Sequence, residues 1–190
     1  NDTTQVGDNF ENIQNIGTID GGDGYDVLQA GSGHDTLDLS SGPVLQNIEE
    51  IDGGKGDDTI IGSDRDDTIE GNSGNDALSG GAGNDTFKVY GNAGYDTVDG
   101  DARGDGMVGS GYNDSIQVGD NFENIQNIET IDGGDGYDVL QAGSGHDTLD
   151  LSSGPVLQNI EEIDGGKGED TSIGNDPADT ITGNRGNRTL

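Results

Sequence analysis

One pattern governs what this chain can become. A row of nine residues is written again and again, with glycines at its first, second and fourth places, aspartate at the sixth and a bulky residue at the eighth. GGDGYDVLQ from Gly21, GGKGDDTII from Gly53, GGAGNDTFK from Gly80 and GNAGYDTVD from Gly91 show it most plainly. Each row resolves into a tight turn and a short strand. The glycines permit positive φ and close backbone approach, and the β-prone eighth residue points inward. Self-similarity at so short a period marks a solenoid, in which a unit buries its apolar face only by stacking on its neighbours.

A longer repeat contains the short one. Residues 113–190 align with 1–78 at an offset of 112, and Gln5–Gly56 differs from Gln117–Gly168 only in Gly17 against Glu129. Residues 1–112 are therefore read as a first copy and 113–190 as a second, truncated copy, in one continuous solenoid. The chain opens and closes in mid-row, as a window cut from a longer array would.

The expected inward residues are Leu28, Leu37, Ile60, Ile69, Leu78, Phe87, Val98, Met107, Ile116, Leu140, Leu149 and Ile181. One apolar side chain per row makes a thin core. At roughly 1.5–3 kcal/mol each, these residues are insufficient to offset the conformational entropy of the chain. Composition sharpens the problem: 27% of residues are hydrophobic, and 39 acidic side chains face 7 basic ones for a net charge of −32. Such numbers belong to chains that stay disordered, yet there are only three prolines and the glycine spacing is strict. An ordered chain of this charge needs countercharge. Nucleic acid and anionic membrane surfaces are excluded as partners by repulsion. There is no cysteine for a disulfide or a thiolate site. No apolar run is long enough to span a bilayer and no leader opens the chain, so any export address is expected outside this sequence.

Aspartates stacked at a strand spacing of about 4.8 Å would repel one another unless something sits between them. A hard cation that accepts six to eight oxygens in flexible geometry suits carboxylates and glycine-freed carbonyls, which describes Ca²⁺ better than Mg²⁺. Transition metals prefer imidazole or thiolate, and the chain has two histidines.

GGAGNDTFK and its fellows resemble the GGxGxDxUx nonapeptide of the RTX (repeat-in-toxin) family. The resemblance implies an all-β, right-handed parallel β-roll with two rows per coil and Ca²⁺ held in the glycine-rich turns. Each ion would lie between turn i and turn i+2, bound by turn carbonyls and the sixth-place aspartates of both. Carried onto this chain, the aspartate ligands are Asp2, Asp26, Asp35, Asp58, Asp67, Asp76, Asp85, Asp96, Asp105, Asp114, Asp138, Asp147 and Asp170. The turn positions are Gly21, Gly53, Gly71, Gly80, Gly91, Gly133 and Gly165. Counting the irregular segments 6–20, 39–52, 118–132 and 151–164 as one non-binding turn plus one strand each gives the pairs. Asp2 falls with Asp26, Asp35 with Asp58, Asp58 with Asp76, Asp76 with Asp96 and Asp67 with Asp85. Asp85 falls with Asp105, Asp96 with Asp114, Asp114 with Asp138 and Asp147 with Asp170. Arg65, Arg103 and Tyr112 stand where the fourth glycine belongs, Pro177 interrupts GNDPAD, and Arg188 replaces an aspartate. Those departures set the sites at Asp67, Asp105, Asp114 and Asp179 apart from the others, and Ser172 occupies an apolar place.

Within the irregular segments, Asp8 and Glu11 have capping-box spacing and predict one short helical turn before a strand at 16–19, with Phe10 and Ile13 as extra core. Pro43 is placed as a first helical residue. Glu49, Glu50, Asp23, Asp57 and Asp66 read as a solvated surplus of charge. The Arg103-Gly104-Asp105 tripeptide and the sequons at Asn1, Asn84, Asn113 and Asn187 are by-products of the row. His34 and His146 face solvent with no nucleophile near them, so no enzyme is expected. The third-place residues form no threonine ladder of the kind an ice-binding face requires.

The family resemblance implies a secreted, calcium-binding module that leaves a calcium-poor cytosol unfolded by type I secretion and folds on meeting Ca²⁺ outside the cell. The near-exact 112-residue duplication resembles repetitive bacterial adhesins and surface proteins, with further copies expected in the parent chain. The rival reading is the non-catalytic C-terminal domain of an RTX exoenzyme such as a protease, lipase or epimerase. No membrane insertion is expected, and the surface or adhesion partner is left open.

Overall fold

The computed structural model describes residues 2–6, 17–90, 94–101, 104–173 and 181–182. Among these described residues the regular elements are strands of two or three residues, apart from one 3₁₀ turn at Asp120–Phe122. The chain begins with β1 (Thr3–Gln5), β2 (Thr18–Asp20), β3 (Val27–Gln29), β4 (Thr36–Asp38), β5 (Val44–Gln46) and β6 (Glu50–Asp52). Next come β7 (Thr59–Ile61), β8 (Thr68–Glu70), β9 (Ala77–Ser79), β10 (Thr86–Lys88), β11 (Thr97–Asp99) and β12 (Gly106–Val108). Beyond them lie β13 (Ser115–Gln117), β14 (Ile125–Gln126), β15 (Thr130–Asp132), β16 (Val139–Gln141) and β17 (Thr148–Asp150). β18 (Val156–Gln158), β19 (Glu162–Asp164), β20 (Thr171–Ile173) and β21 (Ile181–Thr182) complete the set.

Every pairing is parallel, and none joins neighbours in sequence, which is the mark of a solenoid. One eight-stranded sheet runs β1-β3-β6-β8-β10-β12-β15-β18, and a five-stranded sheet runs β14-β11-β9-β7-β4. A four-stranded sheet holds β13-β16-β19-β21, and two pairs remain, β17-β20 and β2-β5.

The register stacks like upon like. In a three-residue strand the middle side chain points to one face and its neighbours to the other. Leu28, Ile51, Ile69, Phe87, Met107 and Ile131 therefore form one buried column, and Leu37, Ile60, Leu78, Val98 and Ile125 a second. Every expected inward residue whose side chain is described is buried. Ile181 falls in the matching register, opposite Ile163.

The coil changes width along its length. From β6 to β12 the two large sheets take strands alternately, and successive turns lie 18 or 20 residues apart. Beyond β12 each coil has three strands, β12 with β13 and β14, then β15 with β16 and β17, then β18 with β19 and β20, the third place passing from the five-stranded sheet at β14 to the separate pair β17-β20. The extra strand comes from the irregular segments, and here the structure corrects the sequence reading. Segment 39–52 supplies two strands, β5 and β6, where one was expected, and so do 118–132 and 151–164. Pro43 opens no helix. It precedes β5, where a residue without an N–H costs no ladder bond. Asp8, Phe10, Glu11 and Ile13 lie outside the described residues, but their duplicates are visible. The 3₁₀ turn at Asp120–Phe122 stands before β14, and Phe122 and Ile125 are buried.

Candidate metal centres

The sixth-place aspartates sit immediately before the strands, so the strand register places them one above the next. At most of them the backbone N–H donates to a carboxylate one coil further on. Asp35 reaches Asp58 at 2.8 Å, Asp58 reaches Asp76 at 2.8 Å, and Asp76 reaches Asp96 at 2.9 Å. In the other large sheet Asp67 reaches Asp85 at 2.9 Å and Asp85 reaches Asp105 at 2.7 Å. Asp2 with Asp26, Asp114 with Asp138 and Asp147 with Asp170 repeat the contact.

Two kinds of glycine make this possible. The first-place glycine gives space: a Cβ on Gly71 or Gly80 would lie 2.2 Å from Oδ2 of Asp76 or Asp85. Gly21, Gly53, Gly133 and Gly165 back Asp26, Asp58, Asp138 and Asp170 in the same way, while Gly91 lies outside the described residues. The fourth-place glycine gives conformation as well. Gly74 and Gly94 have φ of 145° and 130°, and a Cβ on either would come within 2 Å of the carbonyl oxygen of the turn one coil earlier.

Electrostatics then pose a question that the protein atoms alone leave open. Asp58, Asp76, Asp85, Asp105 and Asp138 are at most 2% exposed, and the Oδ2 of each has no hydrogen-bond partner. Burial raises the carboxyls of Asp58, Asp76 and Asp85 to about 6, with the aspartate one coil on adding repulsion and the donated N–H opposing it. Asp96, Asp105 and Asp138 are raised too, again chiefly by burial. A buried carboxylate oxygen without a partner is costly unless a cation or a proton meets it. Among the described residues no three acidic or histidine side chains gather closely enough to hold an ion by themselves. A site here would combine two carboxylates with the carbonyls of the stacked turns. An all-oxygen set of that kind, flexible and rich in carbonyls, fits Ca²⁺.

The predicted site residues divide into groups. Asp96 and Asp114 are not brought together. β11 pairs with β14, so the residue in register with Asp96 one coil on is Glu123, and the neighbouring Asn124 donates its Nδ2 to the Asp96 carbonyl at 2.6 Å. The coil here has three strands, so β14 takes the place beside β11 that a two-row coil gives to β13. Asp67 and Asp114 differ from the orphaned aspartates. Their Oδ2 atoms accept from the N–H and hydroxyl of Ser63 and Ser110 at 2.6–2.9 Å. Asp35 accepts from the Gly31 N–H at 3.0 Å. Asp105, despite its irregular row, keeps a buried oxygen without a partner. Asp179, Arg103, Pro177 and Arg188 lie outside the described residues.

Other functional residues escaped the sequence reading. The fifth place carries a second ladder, running the opposite way. Asp57 Oδ1 accepts the Asn75 N–H at 2.9 Å, Asn75 Oδ1 accepts that of Tyr95 at 3.0 Å, and Asp66 Oδ1 accepts that of Asn84 at 2.8 Å. His34 and His146 belong to it, their Nδ1 atoms accepting the N–H of Asp57 and Glu169. Asp57 and Asp66 are therefore structural acceptors, where the sequence reading made them surplus charge. Glu49 accepts the Asp26 N–H at 2.8 Å. Glu50 is not solvated: it is buried against the Lys88 ammonium and the Tyr25 hydroxyl. Lys88 lies 5.5 and 5.7 Å from the ring centres of Tyr25 and Tyr90. Glu70 shares this cluster, its carboxyl raised to about 8 by burial and by Glu50, whose own is lowered by the donors around it.

A family model for the RTX calcium-binding nonapeptide repeat matches the chain in four copies, at residues 16–43, 52–87, 126–155 and 161–190. No curated protein matches it.

Proposed function

Because this chain belongs to the family of RTX calcium-binding nonapeptide repeats, we propose that it is a solenoid switched into its fold by extracellular Ca²⁺, serving as an extension module of a secreted bacterial surface or adhesin protein. The observation that carries the switch is the set of buried aspartates Asp58, Asp76, Asp85, Asp105 and Asp138, each with one oxygen that no protein group meets. Binding that occurs only in the folded state adds directly to folding free energy. Many weak sites, each on the order of 10⁻⁴–10⁻³ M as in extracellular calcium modules, then act together on one cooperative transition. The turn carbonyls and the carboxylates of Asp58, Asp76, Asp85, Asp105 and Asp138 would hold the ions. The ions supply the positive charge that the acidic chain lacks.

The extension role draws on the near-identity of the two copies and on the absence of cysteine, which suits a chain exported unfolded through type I secretion. The module itself is structural, and any catalysis would belong to other parts of the parent protein. Circular dichroism in chelator, followed by a calcium titration, tests the proposal. The expected result is disorder without calcium, a β-type spectrum at millimolar Ca²⁺ and little response to Mg²⁺. Equal order with and without chelator defeats it.

A further inference from the structure

The corners of the widened coils carry a tetrapeptide of their own. Gln-Asn-Ile-Glu stands at 46–49, 126–129 and 158–161, and the three are built alike. The asparagine turns through left-handed backbone, with φ of 50°, 54° and 49° at Asn47, Asn127 and Asn159, a conformation its short polar side chain tolerates. Its Nδ2 donates to an aspartate one coil back, Asn47 to Asp20, Asn127 to Asp99 and Asn159 to Asp132, at 2.7 Å in each case. Its carbonyl oxygen stands 2.1, 2.4 and 2.2 Å from where a Cβ on Gly21, Gly100 or Gly133 would be. The Gly80 carbonyl stands against Gly62 in the same way, at 2.2 Å, in a glycine corner.

Two residues on, the glutamate takes the aspartate's part. Its Oε2 accepts the N–H of Asp26 at 2.8 Å, of Asp105 at 2.9 Å and of Asp138 at 2.8 Å, and Glu129 also takes the Gly104 N–H at 2.9 Å. The N–H of each glutamate returns to the carbonyl of the same aspartate at 2.9–3.0 Å.

Two differences from a glycine corner decide the chemistry. The asparagine and glutamate have one residue between them where the first glycine and its aspartate have four. Most of the turn carbonyls that would complete a cage of six to eight oxygens are therefore missing. The three glutamates are also exposed, so the oxygen not engaged by the backbone faces water, unlike the enclosed Oδ2 of Asp76 or Asp85. A carboxylate in that position needs no ion. Resting on the calcium reading above, we propose that Glu49, Glu129 and Glu161 mark corners closed by side chains alone. Their corners are levels of the solenoid that take no metal. Position 129 is the one place at which the long duplicated stretch differs, with Gly17 in the first copy.

The test uses the full chain and three variants, Glu129→Gln, Glu129→Gly and Asp76→Asn. Bound calcium is counted by equilibrium dialysis, and amide hydrogen exchange is followed in saturating Ca²⁺. Both Glu129 variants should bind as many ions as the parent. Glu129→Gly should exchange at least tenfold faster at the Gly104 and Asp105 amides, and Glu129→Gln, which keeps an acceptor oxygen, should stay close to the parent. Asp76→Asn should lose bound calcium. A lower ion count in either Glu129 variant overturns the inference, as does unchanged exchange in Glu129→Gly. A chain that takes up no calcium at all fails the proposed function instead, and exchange at those two amides in whatever folded state forms still decides the clamp.

Discussion

The narrow middle of the solenoid and its widened coils solve the same problem by different means. Between Gly53 and Val108 each row buries little beyond its one central apolar residue, and the corners enclose Asp58, Asp76, Asp85, Asp96 and Asp105. Between Val118 and Ile131 the chain buries Val118, Phe122, Ile125, Ile128 and Ile131 in quick succession, and the buried polar residue there is the neutral Asn124. In this stretch hydrocarbon takes the place of enclosed carboxylates, whereas elsewhere in the widened coils Asp114 and Asp138 remain buried.

That comparison can be broken most directly by paired truncations. Ile131→Ala should cost about 4 kcal/mol, as expected for a buried isoleucine, and leave the number of bound ions unchanged. Asp76→Ala should reduce bound calcium and raise the calcium midpoint several-fold, measured by titration at fixed temperature. Ion loss in the isoleucine variant, or none in the aspartate variant, would erase the distinction. Next in size is Lys88→Ala. Lys88 reaches from the narrow middle back to Glu50 at the edge of a widened coil, and its removal leaves a buried carboxylate without its cation. A loss of about 3 kcal/mol in thermal or denaturant unfolding is expected.

Acidity sharpens the comparison further. In the ion-free fold Asp58, Asp76 and Asp85 hold protons up to about pH 6, whereas in the unfolded chain they release them near 3.8. The folded state therefore binds more protons between those values. The stability this gives is present at low pH and is lost as pH rises through 6. Without calcium the narrow middle should gain order between pH 7.5 and pH 5, visible as slowed amide exchange there and not around Ile131. Calcium requires the ionised carboxylates, so its midpoint should rise over the same fall in pH. The smallest effect belongs to Asp23→Ala. Asp23 is exposed on its turn, and its loss should move stability by no more than about 0.5 kcal/mol. A larger calcium shift from Asp23→Ala than from Asp85→Ala would mean that the nine-residue frame is misaligned.

Much of this architecture is legible in the rows themselves, because glycine at the first and fourth places answers to specific close approaches and the eighth residue has nowhere else to go. Eight of the nine expected aspartate pairs meet in the structure through a backbone N–H. The ninth failed because β14 and not β13 stands beside β11, for a physical reason: strand identity in the irregular segments depends on which neighbouring coil lends its edge. Nothing local to Val44–Gln46 or Ile125–Gln126 announces that. The fifth-place ladder was hidden differently, since asparagine, aspartate and histidine look like ordinary turn residues until the next coil brings an N–H to them. Glu49, Glu129 and Glu161 had a signal, their place just before a strand triplet of the Glu-Ile-Asp or Thr-Ile-Asp type. A glutamate outside the nine-residue frame reads as surface charge until the shortened corner is seen.

The sheets of this solenoid start and stop at different heights. β15 and β18 duplicate β2 and β5, yet they extend the eight-stranded sheet beyond β12, while the four-stranded sheet begins afresh at β13. Successive units are thus shingled rather than butted, and every level between β3 and β20 is bridged by at least two ladders. A tensile load along the axis would meet no weak plane at the boundary of the 112-residue unit, and rupture there would have to tear two hydrogen-bonded seams together.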